Sequence, residues 1–138
     1  MSALNKILIV DDESHVRLYI TMLINQTFPR VEVVEAGSGE QGLAMLSSAK
    51  PDLVLLDINM IGSNGLQTLH DMKQTEVDCR IVMLTSVDVR ASVEQALNEG
   101  ADGYILKDKS YEELAEILQG LARKFFETDS NETTDSPE

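Results

Sequence analysis

Branched apolar residues gather in five short runs along this chain: KILIVD from Lys6, VEVVE from Val31, DLVLLD from Asp52, CRIVMLT from Cys79 and DGYILK from Asp102. Runs of that length and composition fit a pleated, buried surface and predict strands. Between them the apolar period becomes helical: Val16, Ile20, Leu23 and Ile24 fall on one face, as do Val89, Val93, Ala96 and Leu97. The last segment, from Ser110, sets Tyr111, Leu114, Leu118, Leu121 and Phe125 on a stripe that Ile117 and Phe126 widen. That spacing serves either a core face, the preferred reading, or a dimer seam, toward which Phe125 and Phe126 would extend outward. Strand and helix alternate five times. Strongly apolar central strands separated by helices predict a parallel sheet covered on both faces, a three-layer α/β domain.

Composition narrows the function. A chain of 138 residues, 43% hydrophobic, suits one domain with a substantial core. Its 11 Lys and Arg face 24 Asp and Glu, and a net charge of -13 repels a phosphate backbone, which excludes direct nucleic-acid binding as an expectation. No run reaches membrane-spanning length and no secretory leader pattern opens the chain, so a soluble cytoplasmic protein is expected. Residues 128–138, TDSNETTDSPE, contain no large apolar side chain; with Glu127 they hold five acidic groups and no basic one. A domain over residues 1–127 followed by a disordered acidic tail is the expected organisation. Cys79 is the single cysteine, which excludes an intramolecular disulfide and points to a core thiol. His15 and His70 are expected on helix surfaces without an evident partner.

One stretch argues for a nucleotide. In VVEAGSGEQGL, Gly37, Gly39 and Gly42 have the G-x-G-x-x-G spacing of a dinucleotide-binding turn, and the next strand ends in Asp57. Ser38 and Gln41, however, fit a capping box, so Gly37 can turn the chain and Ser38 can start a helix with no phosphate present. Glu35 and Glu40 would oppose a pyrophosphate, and the fingerprint normally follows the first strand, not the second.

The stronger signal lies at the carboxyl ends of the strands, where ligands bind in open parallel sheets. The first run ends in Asp11, Asp12 and Glu13, the third in Asp57, the fourth in Thr85 and Ser86, the fifth in Lys107. A lone Asp there is usually a turn former or a helix cap, and Asp12 could cap the helix that follows. Four strands delivering complementary groups to one edge argue against chance. Crowded carboxylates call for a cation, and hard oxygen donors favour magnesium, predicted here on Asp11, Asp12 and Asp57. If Asp57 attacks a phosphoryl group, charge grows on its oxygens, and magnesium, the Lys107 ammonium and the Thr85 hydroxyl can each meet part of it.

Together LIVDDES, LVLLDINM, VMLTS and GYILK resemble the receiver domain of two-component response regulators, over about Lys6 to Phe125. The resemblance implies a flavodoxin-like five-stranded parallel sheet in the order 2-1-3-4-5, with five helices. It implies that Asp57 takes a phosphoryl group from the phosphohistidine of a sensor histidine kinase or phosphotransfer protein. Asp11 and Asp12 then hold magnesium with Asp57 and the backbone carbonyl of Asn59, Lys107 pairs with the phosphate, and Thr85 and Tyr104 form the switch. Tyr104 could equally be an amphipathic ring with its hydroxyl at the surface, and Asn59 a turn residue. The chain departs from the common pattern at Ile61 and at Asp108, where the family often has proline; Asp108 makes a cis bond after Lys107 improbable.

The expected function is a phosphorylation-dependent switch that catalyses its own phosphoryl uptake and loss, a stand-alone receiver of the chemotaxis type. It would signal by protein contact through the fourth helix, fifth strand and fifth helix, the surface also available for a phosphorylation-dependent homodimer. Two alternatives stay open: the receiver part of a larger DNA-binding regulator, and an unphosphorylated receiver-like binding module.

Overall fold

The computed structural model describes residues 3–60, 63–86 and 90–126. The chain runs β1 (Lys6–Val10), α1 (Ser14–Thr27), β2 (Glu32–Ala36), α2 (Gly39–Ala49), β3 (Leu53–Asp57), β4 (Asn59–Met60), β5 (Ser63–Asn64), α3 (Gly65–Lys73), β6 (Arg80–Thr85), α4 (Arg90–Asn98), β7 (Gly103–Leu106) and α5 (Tyr111–Phe125). β4 and β5 form a two-residue antiparallel hairpin, and the other strands make one sheet in the order β2-β1-β3-β6-β7. Every pairing in that sheet is parallel. Counted without the hairpin, the order is 2-1-3-4-5, as the resemblance implies.

Alternation along the strands divides the interior in two. Ile7, Ile9, Leu53, Leu55, Val82 and Leu84 point to the face covered by α1 and α5, while Leu8, Val10, Val54, Leu56, Ile81 and Met83 point to the face covered by α2, α3 and α4. All five residues of β3 are buried, as the centre of a sheet covered on both sides requires. On α1 the residues Ile20, Leu23 and Ile24 are buried and Val16 packs against them, the face its period predicts.

Two expectations about apolar faces need correcting. Val93 and Ala96 are buried on α4, but Leu97 is 42% exposed. One residue further round the helix turns it about 100° away from the sheet. Phe126, expected to reach outward, is buried with Leu114 and Leu118, so the stripe on α5 belongs to the core; Phe125 is half-buried with the Arg80 guanidinium 4.6 Å from its ring centre. Val89, Ile61 and the acidic tail lie outside the described residues.

Helix ends follow their sequence. α5 begins with a complete capping box between Ser110 and Glu113. At α2, Ser38 accepts from the Gln41 amide at 3.1 Å, while the Gln41 side chain accepts from Gly37 N at 2.7 Å instead of from Ser38. The other two glycines of the fingerprint serve packing. A Cβ on Gly42 would stand 2.8 Å from Val10 Cγ2, and one on Gly39 would collide with the Thr68 hydroxyl. The glycine pattern is thus explained by α2 lying close to β1 and α3, and β2 is an edge strand, away from the switch point between β1 and β3.

Candidate functional site

The sheet ladder continues past the strand ends and carries the site residues with it. Asp11 N donates to Ala36 O at 3.1 Å, Ile58 N to Leu84 O at 3.0 Å, and Lys107 N to Thr85 O at 2.7 Å. Groups from β1, β3, β6 and β7 are therefore fixed at one edge by backbone bonds before any side chain contributes. Asp11, Asp57 and Thr85 are buried there, and Asp12 is half-buried.

Asp11, Asp12 and Asp57 each offer an oxygen, and the three lie within 4.8 Å of one another. Lys107 Nζ stands 2.8 Å from Asp11 Oδ2 and 3.4 Å from Asp57 Oδ1. Asp11 Oδ1 accepts from Glu13 N at 2.9 Å and Asp57 Oδ1 from Asn59 N at 3.3 Å. The Lys107 ammonium is thus shared between the Asp11 and Asp57 carboxylates. Burial, with the charge of Asp11 added, pushes the Asp57 carboxyl up to about 6 against the pull of Lys107. Burial alone would lower Lys107, yet its hydrogen bond to Asp11 and the charges of Asp57 and Asp11 lift it above the ordinary lysine range. Three carboxylates converging with hard oxygen donors suit a small divalent cation of the magnesium kind.

Beside Asp12 opens a cavity of about 650 Å³ lined by Asp12, Glu13, Asn59, Met60, Leu66 and Ser92, polar on one side and apolar on the other. The loop under Asp57 is held by Gly65, whose amide donates to Ile58 O at 2.8 Å. A Cβ on Gly65 would meet the Asp57 carbonyl, so the residue after β5 has to be glycine for the chain to pass so near. Asn59 is exposed in β4.

Tyr104 on β7 is 45% exposed, its ring at the surface. The helix-cap alternative for Asp12 does not hold: Glu13 occupies the N-cap of α1, without a side-chain cap, and Asp11 accepts the Glu13 amide. Among the described residues no peptide is cis. His15 is exposed, and His70 has a partner that sequence spacing did not reveal, with Nδ1 3.3 Å from Glu99 Oε1. Sequence reading also missed Arg17, which donates to the Asp11 carbonyl at 2.6 Å. A basic residue one turn and a half after the acidic pair was the available signal. Among the described residues no helix is long and apolar enough to cross a membrane.

A family model described as the response regulator receiver domain matches residues 7–119. The nitrate/nitrite response regulator protein NarL of Escherichia coli (strain K12) is 42% identical over 117 residues, which are 84% of this chain and 54% of that protein. The chain thus spans about half the length of the curated relatives it matches. Among solved structures, the signal receiver domain of NarL from Mycobacterium tuberculosis superposes with a TM-score of 0.77 at 28% identity, covering 89% of this chain and 98% of that one. A DNA-binding response regulator of the LuxR family from Staphylococcus aureus gives 0.76 at 25% identity, covering 86% and 99%.

Proposed function

The chain belongs to the response regulator receiver domain family, and from that membership we propose that it is a phosphorylation-dependent switch in two-component signalling, with Asp57 as the phosphoacceptor. The observation that carries this reading is the convergence of Asp11, Asp12, Asp57 and Lys107 on one edge of the sheet.

A carboxylate oxygen of Asp57 attacks the phosphorus of a phosphohistidine; the new O–P bond forms as the N–P bond breaks, and the electron pair stays on the imidazole nitrogen. Asp11, Asp12, Asp57 and the backbone carbonyl of Asn59 would hold magnesium, which when bound neutralises charge on the phosphoryl oxygens. Lys107 leaves Asp57, its weaker contact at 3.4 Å, to pair with a phosphoryl oxygen while keeping Asp11 at 2.8 Å. The Thr85 hydroxyl donates to another oxygen, and Tyr104, at the surface before phosphorylation, turns inward. That rearrangement alters the face made by α4, β7 and α5, where a downstream protein or a second copy of the chain docks. The phosphoryl donor is a sensor histidine kinase or phosphotransfer protein, the compartment is the cytoplasm, and residues 128–138 form an acidic tail following a receiver of residues 1–127.

Incubation with acetyl phosphate and magnesium, followed by intact-protein mass measurement, tests the assignment. A labile phosphate adduct on the natural sequence and none on Asp57→Asn is the expected result; no adduct on either moves the function to a constitutive receiver-like binding module.

A second reading is favoured by two observations. NarL of Escherichia coli is about twice as long as the match, and the LuxR-family likeness is to a protein described as DNA-binding. In that reading the chain is the receiver part of a longer regulator whose remaining portion contacts DNA, in place of a stand-alone receiver. Finding the coding segment that follows residue 138 in frame, with a helix-turn-helix pattern, decides between them.

A further inference from the structure

Arg17, on α1, makes two hydrogen bonds in different directions. Nη1 donates to the Asp11 carbonyl at 2.6 Å, and Nε donates to Glu35 Oε1 at 2.9 Å. Glu35 lies on β2, and its second oxygen accepts from the Thr21 hydroxyl at 3.4 Å. The guanidinium passes over Gly37, where a Cβ would stand 3.4 Å from Nη1. Its side chain is only 19% exposed, so the arrangement is packed and not a loose surface pair.

The position of that carbonyl matters. β1 ends at Val10 and α1 starts at Ser14, so the residues that carry the acidic pair sit in a short connection. The Asp11 carbonyl belongs to the rigid peptide plane that joins Asp11 to Asp12. Fixing its oxygen fixes the direction in which Asp12 leaves. The Asp11 carboxylate is already held by Glu13 N and Lys107; the Arg17 contact sets the plane between the two acids.

We propose that Arg17, braced by Glu35, is a positioning residue for the divalent cation site: it orients the peptide joining Asp11 and Asp12 so that both carboxylates face the same point as Asp57. This rests on the magnesium reading above. Electrostatics alone gives the opposite sign, because deleting a positive charge beside carboxylates strengthens their hold on a cation. Positioning makes the same deletion weaken it.

The test is calorimetric titration of the full chain with magnesium chloride alone, beside a thermal melt of each variant. Arg17→Met with Glu35→Gln keeps the net charge, and its affinity is expected to fall about tenfold, as for other groups that orient metal ligands. Arg17→Lys, which offers a point charge in place of a fork, is expected to fall in between. Should the double variant not fold, Arg17→Lys carries the test with weakened binding as the expected result. Unchanged affinity in a folded variant, or tighter binding by Arg17→Met alone, overturns the role of Arg17 and leaves the site reading intact. A natural chain that takes up no magnesium overturns both.

Discussion

Lys107 reaches Asp11 across 96 residues of sequence, its Nζ 2.8 Å from Oδ2 of a carboxylate that is fully buried. The pair joins the edge strand β7 to β1 over the end of β3 and β6. Its ammonium is a counter-charge to both Asp11 and Asp57 when no cation is supplied.

Lys107→Met should therefore lower unfolding stability by about 3 kcal/mol in a chelator, because two carboxylates are left buried with their partner removed. Magnesium should return part of the loss. Urea unfolding with and without magnesium reads both effects, and an unchanged midpoint in chelator would sink the account of Lys107.

Asp57→Asn should act the other way. A carboxyl raised from 3.8 to about 6 holds its proton more tightly in the folded state than in the unfolded one. Below the unfolded value both states are protonated and no penalty exists; as pH rises toward 6 the unfolded chain ionises first, and stability falls. Above that the penalty is constant. Without magnesium at pH 7.5, Asp57→Asn should be more stable than the natural sequence by about 3 kcal/mol, a difference that is mostly gone by about pH 4. Denaturant melts over that pH range check the sign.

The glycines offer a paired comparison. Gly42→Ala forces a methyl to within 2.8 Å of Val10 and should cost about 1 kcal/mol or more. On α5, a Cβ at Gly120 meets nothing within 4 Å, so Gly120→Ala should stabilise by about 0.5–1 kcal/mol. Chemical melts that shift both variants in the same direction would remove packing as the reason for Gly42. Protection of the natural chain by NAD would restore the nucleotide reading.

Cys79 should be nearly inert. Burial pushes its thiol up to about 11, so the thiolate fraction at pH 8 is roughly a hundredfold below that of an ordinary cysteine. A disulfide reagent should react about that much more slowly with the folded chain than with the chain in urea. Equal rates would place the thiol in solvent.

The strands and the convergence of the candidate residues were legible in the sequence for the same reason: both depend on short local patterns, a branched apolar run and the polar residue that closes it. Asp11, Asp57, Thr85 and Lys107 each end such a run, and parallel pairing brings run ends together. Contacts between distant residues were not legible. His70 meets Glu99 from 29 residues away and Arg17 meets Glu35 from 18, through side chains whose direction no local period encodes. Leu97 shows the other limit. The helical period gave its neighbours Val93 and Ala96 correctly, but where a stripe ends depends on how closely α4 lies on the sheet.

β7 supplies the counter-charge last. On the ribosome, a chain synthesised as far as β6 already contains all three carboxylates, yet Lys107 has not been made. The acidic edge must then be tolerated by protonation or by cations from the surroundings until residue 107 clears the exit tunnel and the final strand docks. A product truncated before that point keeps the Asp11 and Asp57 carboxylates and loses the ammonium that both of them meet.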